Sequence, residues 1–248
     1  KRVIQYFAWT IIKMTKNISI ILCTYNEVNY IENTIKLITE TIENVEIIIV
    51  DDNSVDGTLD KLNGLKKSLN FQLFIRKNEK GLASAFKKGL EESNGNFVGF
   101  IDANSPDQIL HFNNLISKLR DGYDIAVLSR YIPKGGDKRD FLRVITSKAI
   151  NLVCKMILRI KFNDFTSGIF LMKKEVLKQV DFNTHGHGEY FIEFIYKSFK
   201  KELKIIEIPY VQNKDKNLSK SKSYPNLFRF FYLGFQYFFR IILTLFRN

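Results

Sequence analysis

Ile48-Ile49-Val50-Asp51-Asp52-Asn53-Ser54-Val55-Asp56-Gly57-Thr58 changes character in its middle, where an apolar run stops at two acids and a turn follows. A short apolar run bounded by turn residues reads as a strand buried on both faces, here Val45 to Val50. Asp56-Gly57 supplies the turn, and Thr58 opens a helix predicted to reach Leu69. The same alternation extends on both sides. Upstream, a strand from Ile18 to Thr24 precedes an amphipathic helix from Tyr30 to Thr41. Downstream come strand Phe71 to Arg76, helix Leu82 to Glu92, strand Phe97 to Ile101, helix Ile109 to Leu119 and strand Ile125 to Ser129. This β-α-β-α rhythm predicts an α/β fold, a mainly parallel sheet with helices on both faces. Ligands of such sheets bind beyond the carboxyl ends of the strands. Thr24-Tyr25-Asn26-Glu27, Asp51-Asp52 and Asp102-Ala103-Asn104 all stand at such ends, so they are expected to converge on one crevice.

The second half of the chain reads differently. Phe141 to Leu158 is a long predicted helix, and Asp164 to Gly168 leads into a short strand. Glu189 to Lys200 is helical, and Lys204 to Ile208 is a strand ended by Pro209. No internal repeat or low-complexity linker divides the chain. The expected organisation is an amino-terminal extension (1–13), one catalytic domain (14–222) and a membrane-associating helical segment (223–248). Lys1 to Lys13 is apolar but too short to span a bilayer, and it has no clear cleavage site.

Composition narrows the partners. The 248 residues include 45% apolar side chains, 22 of them Phe, which excludes a disordered chain. Lys and Arg number 38 against 26 acids, a formal charge of +12, which calls for an anionic partner. A nucleic acid is disfavoured, because no RNA-binding aromatic motif or DNA-reading helix is present. Only Cys23 and Cys154 are cysteines and no CxxC pair exists, so the globular part is expected to face a reducing cytoplasm. His185 and His187 share a Gly-containing loop that reads as a turn before it reads as a zinc site.

The turn after the first strand lacks the glycines of a dinucleotide fingerprint, and no Walker loop occurs. A diphosphate must therefore be held by other means, and acids at strand ends point to a bridging divalent cation. Asp102 and Asn104, oxygen ligands two residues apart, can share a hard ion such as Mg²⁺ or Mn²⁺. Their plain alternative is a turn through Ser105-Pro106-Asp107. Asp52 can accept hydrogen bonds from a ribose or base, while Asp51-Asp52-Asn53-Ser54 can also simply form turns and cap the next helix.

Thr-Tyr-Asn-Glu after the first strand, Asp-Asp-Asn-Ser-x-Asp-Gly-Thr after the second and Asp-Ala-Asn after the fourth resemble the family 2 inverting glycosyltransferases. Within these the chain is similar to the dolichol-phosphate mannose synthase and polyprenyl-phosphate glycosyltransferase branch. Gly81-Leu-Ala, Ser129-Arg-Tyr131 with Gly135-Gly136, Asp164-x-x-Ser-Gly168, Glu193, Glu207-Ile-Pro209 and Ser221-Lys222 extend the resemblance from about Ile18 to Lys222. It implies a nucleotide-diphospho-sugar transferase (GT-A type) fold and a nucleotide-sugar donor, GDP-mannose or a UDP-sugar. It further implies that Cys23, Tyr25, Glu27, Val50 and Asp52 line the nucleoside site. Asp102, Ala103 and Asn104 would hold the metal and diphosphate, and Arg130 would contact phosphate, with Asp102 and Arg130 the catalytic pair. Arg143 and Lys148 would meet the acceptor phosphate, and Lys216, Ser221 and Lys222 would close a basic loop over the donor. Two departures stand out. Asn104 replaces the family's second metal acid, and the stretch before Pro106 is shorter. Lys216 stands where the family usually has Arg, which gives up bidentate phosphate pairing.

The implied acceptor is a dolichyl or polyprenyl phosphate. A sugar hydroxyl needs a general base, and the processive Gln-x-x-Arg-Trp signature is absent, whereas a lipid phosphate is already ionised. The alternatives are transfer to a sugar hydroxyl and a noncatalytic relative acting as a membrane scaffold. At the carboxyl end, Arg229, Gln236, Arg240, Thr244 and Arg247 fall on one stripe of a helix that is otherwise rich in Phe, Leu and Ile. That pattern predicts an amphipathic helix on the membrane surface, with a spanning helix or a membrane-protein partner as rivals.

Overall fold

The computed structural model describes residues 17–182, 190–214, 237–239 and 241–246. Its first part runs β1 (Ile18–Thr24), α1 (Ile31–Thr41), β2 (Val45–Asp51), α2 (Thr58–Leu65), β3 (Gln72–Ile75), α3 (Leu82–Glu92) and β4 (Phe97–Phe100). A 3₁₀ turn (Pro106–His111), α4 (Phe112–Arg120), β5 (Ile125–Ser129), β6 (Gly136–Asp137) and α5 (Phe141–Leu158) follow. β7 (Phe170–Lys173), α6 (Tyr190–Lys200), β8 (Ile205–Pro209) and β9 (Val211–Gln212) come last, with a second 3₁₀ turn after β7.

Strand periodicity explains why both faces of the sheet are covered. Ile18, Ile20 and Leu22 of β1 enter one hydrophobic core and Ile21 enters the other; Ile47 and Ile49 of β2 oppose Ile48 and Val50 in the same way. The first core is closed by Ile31, Ile35 and Ile38 of α1, Leu62 of α2 and Phe112, Leu115 and Leu119 of α4. The second is closed by Phe86 of α3, Cys154 and Leu158 of α5 and Phe191 and Phe194 of α6. Here phenylalanines stack edge-on, with Phe86 and Phe100 centroids 5.3 Å apart.

The strand order is β3-β2-β1-β4-β7-β5-β8, with β6 and β9 forming a separate parallel pair. All neighbours in the main sheet are parallel except β7, which runs antiparallel to β4 and β5. The expected α/β architecture is therefore present with one reversed strand. Phe170, Leu171 and Met172 are buried on both faces, so their pattern carries no direction. The helix predicted from Ile109 starts instead as the 3₁₀ turn, because Pro106 occupies its first turn, and becomes α-helical at Phe112. α2 ends at Leu65, short of the expected Leu69, beside the helix-weakening Gly64.

Among the described residues, no helix is long and apolar enough to cross a membrane. Of the predicted polar stripe only Thr244 is described; it is buried, as is Ile241, while Phe238, Phe239 and Phe246 are exposed. Ile241 and Thr244 are thus turned toward the protein. Residues 1–13 lie outside the described residues.

Candidate active site

In register, Thr24 of β1 lies opposite Asp51 of β2, and Ile21 lies opposite Phe100 of β4. The three acidic strand ends therefore emerge along one edge. Asp51 and Asp52 then divide their work. Asp51 is buried: its Oδ2 accepts from Thr24 Oγ1 and Ser54 Oγ, both at 2.7 Å, and its Oδ1 accepts from the Ser54 N–H at 2.7 Å. The rest of the motif staples the Thr24–Glu27 loop in place. Ser54 Oγ accepts from the Asn26 N–H (2.8 Å), and Thr58 Oγ1 accepts from the Glu27 N–H (2.9 Å). Asn26 Oδ1 in turn accepts from the Val55 N–H at 2.9 Å.

Asp52 faces the crevice. Arg76 donates to its Oδ1 through Nε (2.7 Å) and Nη2, and the Gly81 N–H donates to its Oδ2 at 2.8 Å. Gly81 sits at φ +135°, a backbone conformation that L side chains rarely adopt. A carboxylate offers about four lone-pair positions, so one acceptor position on Oδ2 is left over. Arg76 also donates to Ser84 Oγ (2.8 Å) and the Gly81 carbonyl (2.9 Å), which fixes the entrance of α3 against the strand end. Tyr25, about one-third exposed, carries the Lys80 ammonium 4.9 Å from its ring centroid. Lys80, which makes this contact, directly precedes Gly81, whose N–H holds Asp52.

Asp102 is close to this half. Burial pushes the Cys23 thiol well up, and the Asp52 and Asp102 carboxylates push it in the same direction, against Arg76. Burial likewise raises the Tyr190 and Tyr210 hydroxyls, and both feel the charge of Asp102. The Ala103 carbonyl is anchored by Thr34 Oγ1 at 2.6 Å, and exposed Asn104 accepts from Ser105 Oγ at 3.1 Å. Among the described residues no three His, Cys, Asp or Glu side chains gather as a metal cage. The donor set at Asp102 and Asn104, one carboxylate and one amide oxygen, fits a hard cation that keeps waters and borrows phosphate oxygens. Val50 is buried within β2.

The other half is centred on Arg130, which is buried. It grips Asp164 through Nε (2.8 Å) and Nη2 (2.7 Å), and donates to Thr166 Oγ1 (2.8 Å) and Gln212 Oε1 (3.0 Å). Burial alone would lower its pKa, but the bonds and charge of Asp164 more than offset this and raise it. Thr166 extends the network into α5, with Ser147 Oγ at 2.6 Å and the Asn151 amide at 3.0 Å. Gly135 packs against the same strand end; a Cβ there would lie 2.7 Å from the Arg130 carbonyl oxygen. Asp137 accepts from Arg139 (Nε 2.9 Å, Nη2 2.7 Å) and Tyr131 Oη (2.8 Å). Burial pushes the Asp137 carboxyl up, yet these donors outweigh it and hold the pKa at about 2. Glu207 accepts from Ser129 Oγ (2.7 Å), the Asn163 amide (2.7 Å) and two backbone N–H groups at 3.0 Å.

The structure thus brings Cys23, Asp52 and Asp102 together and gives Arg130 a network inside the protein. Arg143 lies one helical turn before buried Ser147, whereas Lys148 is on the exposed side of α5. Lys216, Ser221, Lys222, His185 and His187 lie outside the described residues. Arg76, Asp137, Ser147, Thr166 and Gln212 were not anticipated. Arg76 carried a usable signal, since it is a charged residue directly after an apolar strand, at the same sheet edge as Asp52.

The Glycosyl transferase family 2 model matches residues 19–181. A dolichol-phosphate mannosyltransferase of Pyrococcus furiosus is 33% identical over 78% of this chain, which spans 55% of that relative's length. A polyprenol monophosphomannose synthase of Mycolicibacterium smegmatis is 25% identical, over 80% of this chain and 78% of the relative. Glucosyl-3-phosphoglycerate synthase of Mycobacterium tuberculosis, solved with Mn²⁺, uridine diphosphate and glucosyl-3-phosphoglycerate, superposes with a TM-score of 0.66. That match covers 94% of this chain and 80% of the other at 20% identity, a likeness of fold. With a match across most of the sheet and the strand-end motifs in their places, the chain belongs to glycosyl transferase family 2.

Proposed function

We propose that this chain transfers a hexose, mannose first and glucose second, from a nucleotide-sugar to a dolichyl or polyprenyl phosphate, with inversion at the anomeric carbon. One observation carries the choice of acceptor: the carboxylates of the Arg130 half are already committed. Asp164 is bound by Arg130, Asp137 is held near pKa 2 by Arg139 and Tyr131, and Glu207 accepts four hydrogen bonds. Carboxylates so engaged are poor general bases, so an acceptor that arrives ionised suits this half better than a sugar hydroxyl. The names of the Pyrococcus and Mycolicibacterium relatives support the same reading.

In this reading Tyr25 offers a stacking face to the base, and Asp52, with Glu27 nearby, accepts from the nucleoside. Asp102 and Asn104 hold a divalent cation, Mg²⁺ or Mn²⁺, which when bound neutralises charge on the leaving diphosphate. The glucosyl-3-phosphoglycerate synthase structures with Mn²⁺ or Mg²⁺ and uridine diphosphate support the use of such a cation. Arg143 and Ser147, one turn apart on α5, receive the acceptor phosphate, and Arg130 positions them through Thr166. An acceptor phosphate oxygen forms the new bond to the anomeric carbon as the bond to the diphosphate oxygen breaks. Positioning and charge neutralisation supply the rate. The protein works at a membrane surface with its catalytic domain in the cytoplasm.

The test is to incubate purified protein with Mg²⁺ or Mn²⁺, labelled GDP-mannose or UDP-glucose, and either a short polyprenyl phosphate or 3-phosphoglycerate. A lipid-linked sugar is expected. Product only on 3-phosphoglycerate would overturn the lipid acceptor, and binding of donor without any transfer would make the chain a scaffold.

A further inference from the structure

Gln108 is 3% exposed, and neither its Oε1 nor its Nε2 has a hydrogen-bond partner. Among the described residues these two atoms are the only buried side-chain nitrogen or oxygen atoms left so. Every other buried amide, hydroxyl and carboxylate of the site is paired, often several times over, as around Asp52 and Arg130. A buried polar group without a partner destabilises a fold, so one that is kept marks a place where something else is expected to pair it.

The position of Gln108 says what that is. It lies in the 3₁₀ turn Pro106–His111, which starts from the metal half of the site: the Ser105 N–H donates to the Asp102 carbonyl (3.2 Å), and the Gln108 N–H donates to the Ser105 carbonyl (3.3 Å). The same turn touches the Arg130 half. Asp107 Oδ2 accepts from Asn213 Nδ2 at 3.3 Å, next to Gln212, which accepts from Arg130. Residues three apart eclipse in a 3₁₀ turn, so Gln108 and His111 share a side. That side faces Tyr210, whose ring centroid is 6.0 Å from that of His111 and whose Oη donates to Gln212 Oε1 at 3.2 Å. Tyr210 in turn feels the charges of both Arg130 and Asp102. The turn therefore runs from one half of the site to the other.

We propose that Gln108 reads the hexose of the donor, its carboxamide turning into the crevice to pair with two neighbouring sugar hydroxyls. This rests on the proposed function, in which the sugar passes from a diphosphate at Asp102 to a phosphate at Arg143 and Ser147, along the span this turn covers. A carboxamide offers one acceptor and one donor side by side, so one hydroxyl donates to Oε1 while the next accepts from Nε2. Being neutral, the amide takes either position without burying a charge. Unpaired in the inner position, it gains two hydrogen bonds in the outer one. The unliganded protein is less stable for keeping it, a trade of stability for recognition.

The experiment is calorimetric titration of the full chain with Mn²⁺ and GDP-mannose, GDP, UDP-glucose or UDP, together with a thermal melt. Gln108→Met keeps the length and burial of the side chain and removes both polar atoms. It should weaken the nucleotide-sugar about tenfold, leave the matching nucleoside diphosphate within about twofold, and raise Tm by about 2 °C or more. Gln108→Ala leaves a cavity instead; it should lower Tm yet show the same selective loss. Equal weakening of nucleotide-sugar and nucleoside diphosphate overturns the proposal, because the amide then only props the turn. So does unchanged binding of both, with a lower Tm of Gln108→Met assigning the amide to a buried water. Binding is read here without an acceptor. Selective loss as expected, with transfer to no lipid phosphate, would keep the reading of Gln108 and overturn the proposed function; a native chain that binds neither nucleotide-sugar would overturn both.

Discussion

Asp52 and Arg130 are both members of a buried arginine–carboxylate pair at the carboxyl end of the sheet, yet they meet the crevice differently. Asp52 spends three acceptor positions on Arg76 and Gly81 and keeps one. Arg130 has every guanidinium nitrogen engaged by Asp164, Thr166 or Gln212. The last acceptor position of Asp52 has no partner among the described residues, whereas the remaining donor of Arg130 Nη1 lies on the side of Asp137, 3.8 Å from its Oδ2. In the proposed function the Asp52 half holds the donor and the Arg130 half positions α5.

That contrast breaks first at Arg130. Arg130→Ala leaves the Asp164 carboxylate buried without its partner, and such losses cost about 3–5 kcal/mol. The expected result is a large drop in the urea midpoint at pH 7. A native midpoint with weakened acceptor binding would make Arg130 a ligand contact and erase the contrast. Asp102→Ala should do the reverse, lowering kcat by about 10²-fold or more through lost stabilisation of the leaving diphosphate. Steady-state kinetics with saturating Mn²⁺ checks it, and unchanged turnover removes Asp102 from the site.

A pH experiment probes the scaffold more finely. The Asp137 carboxyl is held below its ordinary value of 3.8, at about 2, so it contributes stability above its ordinary pKa. That contribution, at most about 2 kcal/mol, is lost as pH falls from about 4 toward 2. Asp137→Asn lacks it at every pH. The gap between the unfolding free energies of the native chain and the variant should therefore be widest near neutrality and close below about pH 4. A gap that stays constant with pH would place Asp137 outside the ionic network.

The sequence was most legible where chemistry and periodicity coincide. The apolar run Ile47–Val50 followed by Asp51-Asp52 announced a buried strand and where it ends. The strand ends then met as expected, because parallel pairing leaves no other edge for them. Less legible was anything held by pairs distant in sequence. Asp164 to Gly168 was visible as a motif, but its clamp on Arg130 crosses 34 residues, and Gln212 joins from 82 residues away. The direction of β7 was hidden because a strand buried on both faces has the same pattern either way up.

Arg76 gives the smallest effect and the sharpest comparison. It lies outside the motifs that carry the family resemblance, and it touches no ligand in the proposed site; its work is to orient Asp52. Arg76→Lys keeps the positive charge but loses the planar fork, so one of the two bonds to Oδ1 goes and the carboxylate can turn. The remaining lone pair then loses its fixed direction. Because that lone pair binds donor in the ground state and the transition state alike, the loss should raise KM for the nucleotide-sugar about tenfold and leave kcat nearly unchanged. A merely structural role would instead lower the melting temperature with no selective change in KM. If kcat falls as far as it does in Asp102→Ala, the Asp52 half takes part in the chemical step, and the division between a recognising half and a positioning half no longer holds.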